Sequence, residues 1–226
     1  MSPTSAAAVA DAFAAEAGSL EAALSAVSED EFDRPTRCAP WRVRDLLAHV
    51  GAAVARVPDM LAAPAPPAAA TGAAAYYRRD RRFDPEVDGA RVAGAIETAT
   101  GAGTGASLVR RFAATWRATH AAAVAAPADR VVLTRHGDAM LLTDFMVTRV
   151  VELALHGLDL ADALNRPAWL STESTRLVLA LLLPEGKLPW DAETTLRKAT
   201  GRAEVTETDR AALRSAGLRA LTLSAR

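Results

Sequence analysis

Apolar residues recur at helical spacing along most of this 226-residue chain. From Ala6 to Val27, the residues Val9, Phe13, Leu20, Leu24 and Val27 share one face, with Asp11, Glu16 and Glu21 between them, which is the pattern of an amphipathic helix. Pro35 and Pro40 end that region. A second helix is predicted from about Val43 to Met60, its stripe formed by Val43, Leu46, Leu47, Val50, Val54 and Val57, with Pro58 loosening the last turn. Residues 62–84 contain Pro64, Pro66, Pro67 and Gly72, show no period, and read as a surface connection long enough for a crossover. Helical spacing resumes from about Gly89 to Ala126, broken by Gly101, Gly103 and Gly105 and closed by Pro127. Val131 to Thr134 fits either a strand or an extended linker. Thr143 is the predicted N-cap of a fourth helix, with Asp144 favourably placed in its first turn, that reaches about Leu164.

Beyond Pro167 the pattern weakens. Leu177 to Leu183 reads as helix ended by Pro184 and Gly186, and Ala220 to Leu223 is the best strand candidate. The chain as a whole is therefore all-α: an antiparallel helical bundle over residues 1–167, followed by a small, mainly helical C-terminal appendage over residues 168–226. The long connection permits a non-sequential helix order.

The fourth helix carries the candidate chemistry. Arg149, Glu152, His156 and Asp159 fall within a narrow arc, while Val147, Val150, Val151, Leu153, Ala154, Leu155, Leu158 and Leu160 cover nearly all the rest of its surface. Glu152 and His156, four residues apart, project from adjacent turns and can reach a common ion. Taken alone, such a stripe reads as the solvated edge of a packed helix. His49, at the margin of the apolar stripe of the second helix, changes the balance. One histidine from another helix added to a Glu and His pair completes a three-ligand shell that keeps a position open for water or substrate. That donor set suits zinc and also admits nickel, cobalt or iron. His120 and His136 have no partner at ligand spacing and read as structural or surface residues. Asp159, one turn past His156, reads first as a solvated carboxylate and second as a group that orients the His156 ring.

Composition narrows the partners. Hydrophobic residues make up 50% and charged residues 23%, and the net charge of −1 supplies no positive field for nucleic acid, so a small molecule is the expected partner. A single cysteine, Cys38, excludes an internal disulfide and fits a reducing compartment. Its setting in a Pro-flanked turn reads as structural, so it is not counted as a nucleophile. No export signal and no apolar run long enough for a bilayer are visible, so the expected location is cytoplasmic, with no membrane partner. Nor does any segment read as a DNA-binding helix-turn-helix, which ranks a transcriptional regulator last.

The segments Trp41-Arg42-Val43-Arg44-Asp45-Leu46-Leu47-Ala48-His49 and Arg149-Val150-Val151-Glu152-Leu153-Ala154-Leu155-His156-Gly157-Leu158-Asp159-Leu160-Ala161 resemble the mycothiol-dependent maleylpyruvate isomerase family of the DinB-like superfamily. The likeness covers roughly residues 5–167 in layout. It implies a DinB-like four-helix bundle in which His49, Glu152 and His156 hold a divalent metal, usually zinc. It also implies a mycothiol cofactor bound as thiolate at the open metal position. A thiolate beside a small electrophilic substrate supports either an isomerase, where the thiol leaves again, or an S-transferase, where the adduct is kept. The tail is shorter than the isomerase's C-terminal domain, so the resemblance implies this chemistry without naming maleylpyruvate as the substrate. A negatively charged substrate needs a cationic anchor, for which Arg149 and Arg56 are the candidates, although each by itself reads as a surface residue. The run Arg78-Arg79-Asp80-Arg81-Arg82 reads as a solvated loop. The competing reading is a non-catalytic DinB-like module that binds a metal or an apolar ligand.

Overall fold

The structure is a computed structural model that describes residues 5–78, 84–184, 186 and 188–222. Helix α1 (Ala6–Leu24) starts where Ser5 Oγ accepts a hydrogen bond from the Ala8 N–H, and it buries Val9, Phe13, Leu20 and Leu24 as its periodicity requires. A 3-10 turn (Glu29–Asp33) and the Pro35–Pro40 loop follow. The second helix does not run unbroken to Met60. It divides at Ala55 into α2 (Val43–Val54) and α3 (Arg56–Ala62). Pro58 is the reason. Having no N–H, it leaves the Val54 carbonyl open, and the buried Thr119 hydroxyl donates to that oxygen instead, at 3.0 Å. Pro58 itself sits in the first turn of α3, where the missing donor costs nothing.

Among its described residues the long connection is irregular except for one short turn, α4 (Ala73–Tyr76), which had no periodicity to betray it. Helix α5 (Pro85–Ala102) carries proline at its start and stops at Gly103, whose φ of 76° is open to glycine. Thr104 then caps α6 (Gly105–Ala125) by accepting from the Ser107 N–H at 3.2 Å.

Val131 to Leu133 form strand β1, paired antiparallel with β2 (Ala139–Leu141) in the register Val131↔Leu141, Val132↔Met140, Leu133↔Ala139. The hairpin displaces the expected cap. Because the Leu142 N–H donates to the Arg130 carbonyl at 2.8 Å, the chain passes straight from strand into α7 (Leu142–Leu164), and Leu141 takes the N-cap position instead of Thr143. Asp144 does lie in the first turn, and Asn165 ends the helix in the left-handed region.

Helices α1 and α2 each pack against both α6 and α7, so the first two long helices of the chain face each other across the diagonal of a four-helix bundle. Helix α5 lies outside, against α2. This is the all-α bundle expected from the sequence, but its diagonal steps, α1 to α2 and α6 to α7, are made by residues 25–42 and 126–141, while the long connection leads by way of α5 between the adjacent α2 and α6. The core runs along the axis through Phe13, Leu46, Val50, Leu153 and Leu158, all essentially inaccessible to solvent.

After Pro167, α8 (Thr172–Leu182) lies against α1 and α7, and α9 (Ala192–Ala199) packs on α8. Helix α10 (Glu207–Ser215) opens with a capping box between Thr206 and Asp209. Ala220 to Thr222 do not form the expected strand, since the Thr222 N–H bonds to the Tyr77 carbonyl, which is part of no sheet; Leu223 lies outside the described residues. Arg79 to Arg82 also lie outside them. Among the described residues no helix is long and apolar enough to cross a membrane.

Glu16 ties α1 to the start of α8. It is fully buried, and its Oε2 accepts from the Ser171 N–H and the Ser174 hydroxyl. Burial pushes its carboxyl above the usual range, only partly offset by those hydrogen bonds. A raised folded-state value means that the group's contribution to stability is full below the unfolded value and declines as pH rises through the folded one. Glu16→Gln removes that dependence. The melting temperature of the variant relative to wild type is expected to climb between pH 5 and pH 8, by about 2–4 °C for each kcal/mol regained. A gap that stays constant over this range contradicts the assignment.

Candidate metal centre

Three side chains from two helices converge between α2 and α7. His49 projects from the middle of α2, and Glu152 and His156 from adjacent turns of α7. His49 Nε2 lies 3.6 Å from Glu152 Oε2, and His156 Nε2 lies 3.5 Å from the same oxygen. All three donor atoms fall within 4.8 Å of one another. Separations of this size exceed an ordinary hydrogen bond and approach the edge of a tetrahedron built on bonds of about 2.1 Å, which is roughly 3.4 Å. The His49 and His156 rings meet edge to face, 5.2 Å between centroids, and Trp41 stacks on His49 at 4.6 Å, fixing its ring plane.

The other face of His156 is held from behind. Its Nδ1 lies 3.1 Å from Asp159 Oδ2; with the proton on Nδ1, the Nε2 lone pair faces Glu152 and His49. Asp159 is fully buried, so its reading as a solvated carboxylate is corrected: it is the group that orients His156. Arg202 grips it, with Nε on Oδ1 at 2.9 Å and Nη2 on Oδ2 at 2.8 Å. Cys38 Sγ lies 3.5 Å from Asp159 Oδ2. Burial would raise the Asp159 carboxyl, but His156 and Arg202 outweigh it and hold it down at about 2.

Burial also disfavours charge on each of the three convergent groups, with different outcomes. His49 is pushed below the ordinary histidine value by desolvation. On Glu152 the close approach of His156 and His49, with the charge on Arg149, outweighs burial and holds the carboxyl well below its usual range. His156 is raised well above the usual value, because Asp159, Cys38 and Glu152 outweigh its desolvation. These directions favour an ionised Glu152 carboxylate, a neutral His49 and a second proton on His156 at Nε2, which a cation bound there would displace. Two nitrogens and one carboxylate, one of the rings backed by a second carboxylate, are a donor set that fits a borderline divalent cation such as zinc.

These groups line a cavity of about 830 Å³. Trp41, Cys38 and Arg202 border the end with the histidines, while Arg56, Tyr76, Arg135 and His136 line it as well. Arg149 lines it too, and contrary to its reading as a surface residue it is 4% exposed. Its Nη1 donates to the Ala53 carbonyl at 3.0 Å, and its Nε and Nη2 donate to the Thr148 hydroxyl at 3.1 and 3.0 Å. Its guanidinium lies 4.5 Å over the Phe145 ring. Arg56 is half-buried.

Residues 13–161 match the mycothiol maleylpyruvate isomerase N-terminal domain. The chain belongs to this family. Comparison with curated proteins and with solved structures finds no match. The mycothiol maleylpyruvate isomerase N-terminal domain thus takes in His49, Glu152, His156 and Asp159 and ends well before Arg202. Several residues of the site were not singled out from sequence. Trp41 lies inside the segment that carries the resemblance, and its spacing from His49 was the available signal. Tyr76 lies in an aperiodic connection, and Arg202 lies 43 residues beyond the carboxylate it grips, so neither had a local signal.

Proposed function

We propose that this chain is a metal-dependent enzyme that uses mycothiol as its thiol cofactor, an isomerase or S-transferase acting on a small electrophilic substrate. Residues 1–167 would be the metal-binding bundle and residues 168–226 its appendage. The observation that carries the reading is the approach of His49 Nε2 and His156 Nε2 to one oxygen of Glu152, at 3.6 and 3.5 Å, on the wall of an 830 Å³ cavity. A divalent ion there, zinc by preference, would hold the cofactor sulfur as thiolate at neutral pH, ready to add to an electron-poor carbon.

The protein's own part is to position and to shield. Asp159 keeps the Nδ1 proton of His156 in place, so that Nε2 stays a ligand. Trp41 limits the swing of His49 by stacking. Arg149 supports an anionic substrate group, for it is a buried cation on the cavity wall whose hydrogen bonds go to the uncharged Ala53 carbonyl and Thr148 hydroxyl. Arg56 and Arg135 line the same cavity, and the guanidinium of Arg135, an exposed residue at its rim, is held below its usual value by partial desolvation and by the charges of Arg56, Arg91 and Arg149. A carboxylate placed among them would relieve that repulsion.

Calorimetric titration of the zinc-loaded protein with mycothiol decides between this enzyme and a non-catalytic module. Binding near one equivalent, lost once the metal is chelated, is the expected result. Full zinc occupancy without thiol binding would move the reading to a module that holds a metal for another purpose.

A further inference from the structure

We infer that Arg202, which lies outside the matched family domain, is a positioning residue for the metal centre: by clamping Asp159 it fixes the His156 imidazole with Nε2 toward His49 and Glu152. The inference rests on the proposed ligand set and extends it into the C-terminal part of the chain.

The geometry is that of a two-point clamp. Both Asp159 oxygens are taken by one guanidinium, Oδ1 by Nε and Oδ2 by Nη2, and such a fork fixes the plane of a carboxylate where a single contact would let it turn. Oδ2 also accepts from His156 Nδ1, so the plane of the carboxylate sets the angle of the ring. The other groups against Asp159 cannot replace the clamp: Arg37 Nε is 3.8 Å from Oδ1, and Cys38 Sγ is 3.5 Å from Oδ2. Filling space does not account for the pair, since two apolar side chains would pack a buried site at lower desolvation cost than an Asp and an Arg whose side chains are 0% and 3% exposed.

Arg202 is itself held in place. Its N–H donates to the Arg197 carbonyl at 2.7 Å as the chain leaves α9 through Gly201, whose φ is 69°. Arg37 reaches across from the loop that carries Cys38 and Trp41 and donates to the Gly201 carbonyl at 2.7 Å. The turn after α9 is thereby fastened to the same loop whose Trp41 stacks on His49. The segment beyond the family match thus supports the backing of one ligand and touches the loop behind another.

Zinc affinity, measured on the full chain by competition with a chromophoric chelator, tests this in Arg202→Met, Arg202→Lys, Asp159→Asn and Leu196→Ala. Losing a group that backs a metal-bound histidine typically weakens affinity about 10–100-fold. That loss is expected for Asp159→Asn and for Arg202→Met, together with a shifted visible spectrum of the cobalt-loaded protein. Arg202→Lys, which keeps the charge without the fork, is expected between them and wild type. Leu196→Ala opens the buried face of α9 without touching Asp159, and it should lower the melting temperature while keeping wild-type affinity. Wild-type affinity in Arg202→Met overturns the inference, and so does an affinity loss in Leu196→Ala equal to that in Arg202→Met. Should Arg202→Met not fold, wild-type affinity and spectrum in Arg202→Lys overturn it equally. A wild-type protein that takes up no zinc removes the ligand set first and the inference with it, whereas failure confined to the Arg202 variants leaves the ligand set standing.

Discussion

Replacing His156 by alanine is expected to abolish stoichiometric metal binding and leave the bundle folded. The side chain lies at the cavity wall and is 17% exposed, so its loss widens space already open to solvent and leaves no sealed void. Asp159 keeps its two bonds to Arg202, so no bare buried charge results. The remaining His49 and Glu152 sit on different helices and make only a two-ligand site. Helical content by circular dichroism should match wild type, while metal content after zinc loading and desalting should fall to a small fraction of an equivalent. A variant that keeps a full equivalent shows that His156 is not a ligand.

Gly105→Ala is expected to be the most damaging small substitution away from the site. Gly105 opens α6, and a Cβ there would stand 2.1 and 2.3 Å from two carbons of the Phe32 ring, which is 1% exposed and wedged into the bundle. The Gly105 N–H also donates to both Glu29 oxygens, at 2.9 and 3.0 Å, so the helix start cannot slide away without losing them. Overpacking a buried ring in this way costs about 3 kcal/mol, equivalent to a fall in melting temperature of about 6–12 °C. Helix propensity alone argues the opposite sign, since alanine is the better helix former by about 1 kcal/mol. Chemical denaturation therefore separates the two. Phe32→Leu in the same chain should recover part of the loss as a non-additive gain. Unchanged or increased stability in Gly105→Ala contradicts the contact.

The long helices were legible because burial on one face leaves a 3.6-residue pattern, as in α1 and α2. Their interruptions were legible only in part. Pro58 signalled a weakness, but the break falls at Ala55, and the Val54 carbonyl it leaves open takes its hydrogen bond from Thr119 on another helix. The hairpin was too short to set strand against linker, and through it the cap of α7 came at Leu141, two residues before the Thr143 that local chemistry favours.

The candidate site was legible to a similar depth. His49, Glu152 and His156 stood out by type and spacing, and the structure brings them together. What periodicity could not supply was the direction of the polar stripe. A helix apolar on nearly every side gives no hint whether its one polar arc meets water or the bundle interior, and for Arg149 and Asp159 the answer is the interior. Arg202 was hidden for another reason. Its partner is set by the turn after α9, a tertiary contact with no counterpart in local sequence.

Elemental analysis of the purified protein beside His49→Ala and Glu152→Ala tests the central claim most directly, because the two substitutions remove proposed ligands from different helices. Near-stoichiometric zinc in the wild type and little in either variant is the expected result. A wild type that holds no metal even after zinc reconstitution, or variants that hold as much as the wild type, would contradict it.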